Sequence, residues 1–171
     1  MKKIMVLLLL TTFLATACGQ QEATKEESKD VNPVETVTDE EKAEEAKQMI
    51  TVYYSNASAD GLDKKEVTLV ELTPVAVMEK LVEEGVVPSN VQVNDLMEKE
   101  EQGEQLLDLD LSDSFYDYMN QQGSAGESVT FWSICNTYLD AYGAHKIKVT
   151  VGGETLETGH QTMEGYYGFH E

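Results

Sequence analysis

The chain has 171 residues, and Asp+Glu 32 against Lys+Arg 12 leave a formal charge of −20 at pH 7. Every basic residue is lysine. This excludes a basic nucleic-acid surface and the bidentate guanidinium clamp that phosphates and carboxylates favour. The length suits one modest domain with a tail, and so acidic a body is repelled by an anionic lipid surface.

The chain opens with Met1-Lys2-Lys3, a positive start, followed by the wholly apolar Ile4 to Leu10 and then Phe13 and Leu14. That run falls short of the roughly 20 residues needed to span a bilayer, and its flanks are those of a signal peptide. Small residues Ala15, Thr16 and Ala17 stand directly before Cys18. The pattern is similar to a bacterial lipobox, which implies cleavage before Cys18 and a diacylglyceryl group on its thiol. Two acyl chains on one residue anchor stably. The alternative is an ordinary secretory signal with an incidental cysteine. Residues 1–17 are thus expected to be a lipoprotein signal peptide and residues 18–48 an acidic flexible tether. Residues 49–171 are expected to form the folded domain. The tether is rich in Glu, Lys, Thr and Asp and lacks large apolar residues, so it cannot bury a core. Its end carries a capping-box pattern, Thr38-Asp39-Glu40-Glu41, and so a fraying helical lead-in.

From Met49 the character changes. Ile50 to Tyr54 is β-branched or aromatic and reads as a strand. Asn56 to Lys65, with Asp60-Gly61, reads as a loop, and Val67 to Leu72 as a second strand. Thr73-Pro74 opens a helix with Val75, Met78, Leu81 and Val82 on one face, and Gly85 closes it. After the turn Pro88-Ser89-Asn90, a third strand starts at Val91 and runs to about Met97. Glu98 to Glu104 reads as a charged hairpin loop. Leu107 to Leu111 alternates strictly, leucines inward and aspartates outward. Ser112 caps a short helical turn with Phe115, Tyr116 and Met119, and Gln121 to Gly126 is a loop. Glu127 to Tyr142 is the strongest helix, with Val129, Trp132, Cys135 and Leu139 on one face, Phe131, Ile134, Tyr138 and Tyr142 widening it, and Gly143 ending it. Lys146 to Val151, the Gly152-Gly153 turn and Thr155 to Glu157 read as a closing hairpin. The expected fold class is α+β, a small mixed or antiparallel sheet with two main helices on one face.

No arrangement of residues points to catalysis. Asp108, Asp110, Asp113 and Asp117 form an acidic run that lacks the glycine of a calcium loop, so a solvated strand face is expected. His145, His160 and His170 have no zinc-ligand spacing. Gly123 to Ser128 lacks the lysine of a phosphate loop, and no G-x-S-x-G elbow is present. No catalytic residue, cofactor or metal is therefore expected. With Cys18 acylated, Cys135 has no partner within the chain. It reads as a buried inert thiol or, alternatively, as half of an intermolecular disulfide. The aromatic run Tyr166-Tyr167-Gly168-Phe169-His170 reads either as packed on the sheet or as an exposed partner-binding patch.

Several segments together resemble the GerMN domain of the sporulation and spore germination family. They are Ile50 to Tyr54; Leu107 to Phe115; Gly123-Ser124-Ala125-Gly126-Glu127; the helix with Asn136-Thr137; Lys146 to Gly153; and the ending Glu157-Thr158-Gly159-His160. The resemblance runs from Ile50 to His160. It implies a lipid-anchored envelope module related to the ring-building motifs of secretion-like machinery, with no catalytic residues to carry over. The expectation is a non-enzymatic interaction or assembly module in sporulation, germination or another envelope process. It would sit on the extracytoplasmic face of the cell membrane, held there by the lipid on Cys18, with an envelope protein as partner and no nucleic acid. The alternative is a ligand-binding or accessory module for peptidoglycan glycan or peptide.

Overall fold

The computed structural model describes residues 47–171. The signal peptide, Cys18 and nearly all of the tether lie outside them. The described elements are β1 (Gln48–Ser55), β2 (Leu62–Leu69), α1 (Pro74–Glu83), β3 (Val93–Glu101), β4 (Glu104–Leu111), α2 (Asp113–Met119), α3 (Ser124–Tyr142), β5 (Lys146–Val151), β6 (Glu154–Glu157) and β7 (Thr162–Met163). The class is mixed α+β, as expected. The strands divide into two sheets where one was expected: an antiparallel β1–β2 hairpin, and a five-stranded sheet in the order β3-β4-β5-β6-β7.

In the larger sheet β4 and β5 run parallel, with Leu107 beside Ile147 and Leu109 beside Val149. A parallel pair needs a long crossover, and α2 and α3 supply it. Alternation along β4 sends Leu107, Leu109 and Leu111 into the core, all 1 % exposed or less. Phe115, Met119, Ile134, Ile147 and Val149 complete the core around them. Full burial of one such leucine contributes about 1.5–3 kcal/mol. Between β5 and β6 the turn Gly152-Gly153 has φ of 58° and 84°. That left-handed pair matches the twist of a two-residue hairpin and favours glycine.

α3 explains the division into two sheets. It packs chiefly along β1 and also against β5 and α1, and residues 133 to 139 are buried without interruption. Gly126, Thr130, Ser133 and Thr137 follow helical spacing down one side. Such small side chains let a strand lie close, and the backbone N–H of Tyr53 donates to Thr137 Oγ1 at 3.0 Å. The bulkier Phe131, Ile134, Cys135 and Tyr138 occupy the rest of the circumference. A helix covered on several sides has no single apolar stripe: of the expected face Cys135 and Leu139 are buried, and so are Phe131, Ile134 and Tyr138, which were expected to widen it. Val129 and Trp132 stay half-buried.

α1 starts as expected, with Thr73 Oγ1 accepting from Ala76 N at 3.1 Å and Pro74 in the first turn. Its buried residues are Val77, Met78 and Leu81, while Val75 is 53 % exposed. The strand expected from Val67 starts earlier, at Leu62, and the loop expected to reach Lys65 ends at Gly61. The loop expected at Glu98 to Glu104 is a two-residue turn at Gln102-Gly103. α3 begins at Ser124 rather than Glu127 because Gly126 is taken into its first turn. No described helix is long and apolar enough to cross a membrane.

Candidate interaction surface

The site begins with what the polar residues are used for. Glu127 lies in the first turn of α3 and is fully buried. Its Oε2 accepts from the Thr158 hydroxyl at 2.7 Å, and its Oε1 stands 2.8 Å from His160 Nδ1. Gln161 Nε2 donates to Ser128 Oγ at 3.0 Å, and Thr158 N donates to Gln161 O at 2.8 Å, which closes the 158–161 loop on itself. Burial pushes the Glu127 carboxyl up, but the hydrogen bonds from His160 and Thr158 outweigh it, and the group sits below the usual carboxylate range. The pair holds a loop against a helix start. The Thr158 hydroxyl donates to the same carboxylate. Sequence reasoning placed His160 among scattered histidines and missed this contact. Spacing carried no signal for it, since Glu127 and His160 stand 33 residues apart and only the fold brings them together.

Glu127→Gln is expected to destabilise the domain by about 1–3 kcal/mol near neutral pH, the range for a buried hydrogen-bonded charge that loses its partners. A lowered folded pKa stabilises above the ordinary carboxylate pKa, and that contribution is lost as pH falls through the folded value. The gap between wild type and variant should therefore close in acid. Urea unfolding at about pH 7 and about pH 3 measures it. A gap that stays constant would show that the charge does not hold the loop.

The acidic run resolves into separate local bonds. Asp110 accepts from Thr150 Oγ1 and Gly153 N, both at 2.7 Å, and from Asn94 Nδ2 at 2.9 Å. Burial raises its carboxyl, but these donors outweigh it and hold the group low. Asp108 is bonded to Lys99 and accepts from the Tyr166 hydroxyl at 2.5 Å. Asp113 and Asp117 are exposed on α2. Among the described residues no group of three His, Cys, Asp or Glu could hold a metal ion. His145 accepts from Gln105 N at 2.9 Å, and His170 stacks on Trp132 with ring centroids 4.4 Å apart. The three histidines therefore serve three separate places. Cys135 is fully buried, and burial pushes its thiol well above the usual range. It is the inert thiol, since an intermolecular disulfide would require the core to open.

The aromatic ending is packed in part: Tyr167 is half-buried, while Tyr166 and Phe169 stay 38 % and 49 % exposed. Tyr167 and Ile147 exchange two backbone hydrogen bonds of 2.8 Å, which extends β5 along its edge. The Tyr167 ring meets Phe131 and Trp132 edge-on, and Phe169 meets Tyr53 edge-on at 5.4 Å. Asn136 then exchanges two hydrogen bonds with the backbone of His170, at 2.7 and 2.9 Å. The segment is a strap across α3 that reaches β1.

Another surface is left uncovered among the described residues. Between α1 and the chain entering β3 lies a groove of about 520 Å³, lined by Val75, Met78, Val82, Val91 and Val93 with Glu79 and Glu83 beside them. Its volume is in the range of ligand-binding sites, roughly 300–1,000 Å³. It exists because α1 is apolar over more of its surface than its core contacts use.

The Germane family model, described as sporulation and spore germination, matches residues 51–157. The match ends just short of the loop that Glu127 holds. No curated protein matches the chain. Among solved structures, the crystal structure of a candidate lipoprotein from Clostridium perfringens is similar, at 11% sequence identity. The likeness covers 71% of this chain and 87% of that one with a TM-score of 0.41, too loose to bring that protein's role here.

Proposed function

The chain belongs to the Germane family of sporulation and spore germination, and from that premise we propose that it is a non-enzymatic, lipid-anchored envelope module that binds another protein. In this reading residues 1–17 direct export, Cys18 carries the lipid, and residues 18–48 tether the domain on the extracytoplasmic face of the membrane. Residues 49–171 hold 22 Asp and Glu against 6 Lys, a charge of −16 that keeps the domain clear of anionic headgroups. The process served is sporulation, germination or another envelope function.

The observation that carries this reading is how the domain divides its side chains. Its buried carboxylate, the histidine beside it and its buried thiol are used in holding the fold. Meanwhile an apolar groove and the exposed Val75 are left without cover. Uncovered apolar surface rimmed by polar residues marks interaction sites. Affinity capture of the full chain from chemically crosslinked membranes of its own cells should recover one defined envelope protein. Recovery of nothing above background would overturn the reading.

A second reading has its own observation. A hollow of about 490 Å³ is lined by Tyr53, Tyr54, Asn136 and Phe169, and aromatic walls suit the apolar face of a sugar. A peptidoglycan module would co-sediment with purified cell wall, whereas the protein-binding module would stay in the supernatant.

A further inference from the structure

We propose that the α1–β3 groove docks an extended, lysine- or arginine-bearing segment of an envelope protein, which continues as an added strand along the outer edge of β3. This deepens the protein-binding reading above and rests on it.

Three observations select that occupant. The first is apolar. Val75 is 53 % exposed and stands over a floor that includes Met78 and Val91. A partner's apolar side chain placed there would remove it from water.

The second is charge. The lysine nearest the groove on α1, Lys80, is tied to Glu83 at 2.7 Å. Among the described residues Glu79 has no ion pair. Further along β3, Asp95, Glu98, Glu100 and Glu101 are all exposed. Lys99 on that strand is bonded across to Asp108. The surface is thus negative along its length, which favours a cationic chain. It also disfavours a second copy of this protein, whose β3 edge would set carboxylates against carboxylates.

The third is hydrogen bonding. β3 is the end strand of its sheet and pairs only with β4 among the described residues. Its other edge leaves backbone donors and acceptors for a strand to complete. Exposed carboxylates guard such an edge against self-pairing and leave it open to a partner of opposite charge. An extended segment takes its affinity from those backbone bonds and its specificity from the side chain that enters the groove.

The test is photocrosslinking of the full chain in its own cells, with Val75→p-benzoylphenylalanine as the probe in the groove and Met49→p-benzoylphenylalanine as a probe on β1. Mass spectrometry identifies each crosslinked segment. The expected adduct at position 75 is a segment of one envelope protein with net positive charge. Its yield should fall about tenfold when Glu79→Lys and Glu83→Lys are added, and by less with Glu79→Gln alone. Equal cellular levels and melting temperatures establish that these variants fold. An adduct with a second copy, an adduct with a neutral or acidic segment, or a yield unchanged by charge reversal overturns the proposal. Adducts at position 49 alone would overturn the groove and leave a protein-binding module standing. No adduct at either position, together with empty affinity capture, would overturn both.

Discussion

Tyr138→Ala is expected to lower the unfolding free energy by about 3–5 kcal/mol, the range for deleting a buried aromatic side chain. Tyr138 is fully buried in the middle of α3. Its hydroxyl donates to Pro74 O at 2.7 Å, so the side chain fastens the first turn of α1 to the central helix. Burial pushes the hydroxyl's pKa far up, and it remains a donor throughout the working pH range. Its ring lies nearly parallel to that of Tyr142, with centroids 6.2 Å apart. The alanine variant loses the ring's contacts, leaves a cavity and removes the hydroxyl's bond to Pro74 O. A domain of this size is stable by about 5–15 kcal/mol, so the loss is a large share of the total. Tyr138→Phe keeps the ring and should lose only about 0.5–1.5 kcal/mol. Urea midpoints for the two variants separate packing from hydrogen bonding. A loss below about 1 kcal/mol for alanine would place α3 outside the core.

Cys18→Ser should move the protein out of the membrane fraction almost completely. The hydroxyl of serine does not take the place of the thiol that receives the diacylglyceryl group. Each buried methylene contributes about 0.8 kcal/mol to membrane binding, so two acyl chains anchor where one only lingers. The domain should still fold, because its core starts at Ile50, far along the chain from Cys18. A flexible segment of about 30 residues has a root-mean-square reach of roughly 30 Å. On the proposed anchor, a lipid on Cys18 would confine the domain to a thin layer above the bilayer without orienting it. Cell fractionation and circular dichroism of the soluble form check both parts.

Much of the fold was legible from local chemistry. The Thr73-Pro74 start of α1, the leucine alternation of β4 and the Gly152-Gly153 turn each depend on neighbours in sequence, and each stands where it was expected. The early start of β2 was hidden because Asp63, Lys64, Lys65 and Glu66 face solvent on a strand that pairs only with β1 among the described residues. Such a strand shows little alternation. β7 has two residues, too few for any pattern. The split into two sheets depends on α3 accepting β1 against its small side chains, a long-range fit that periodicity does not carry.

The groove was legible in part. The stripe of Val75, Met78, Leu81 and Val82 was expected to face the sheet. In the structure the core takes Val77, Met78 and Leu81, and Val75 and Val82 line the groove. Spacing alone cannot rank two overlapping apolar faces of one short helix. The bond between Glu127 and His160 was invisible for a related reason. A buried carboxylate and an exposed one look alike until the fold brings a partner to one of them.

The measurement that bears most directly on the anchored module is the mass of the N-terminal peptide of the protein isolated from membranes. The expected peptide begins at Cys18, carries a diacylglyceryl group on its sulfur, and is missing from the Cys18→Ser variant. A membrane-bound protein whose N-terminal peptide shows Cys18 with an unmodified thiol would contradict the lipid anchor.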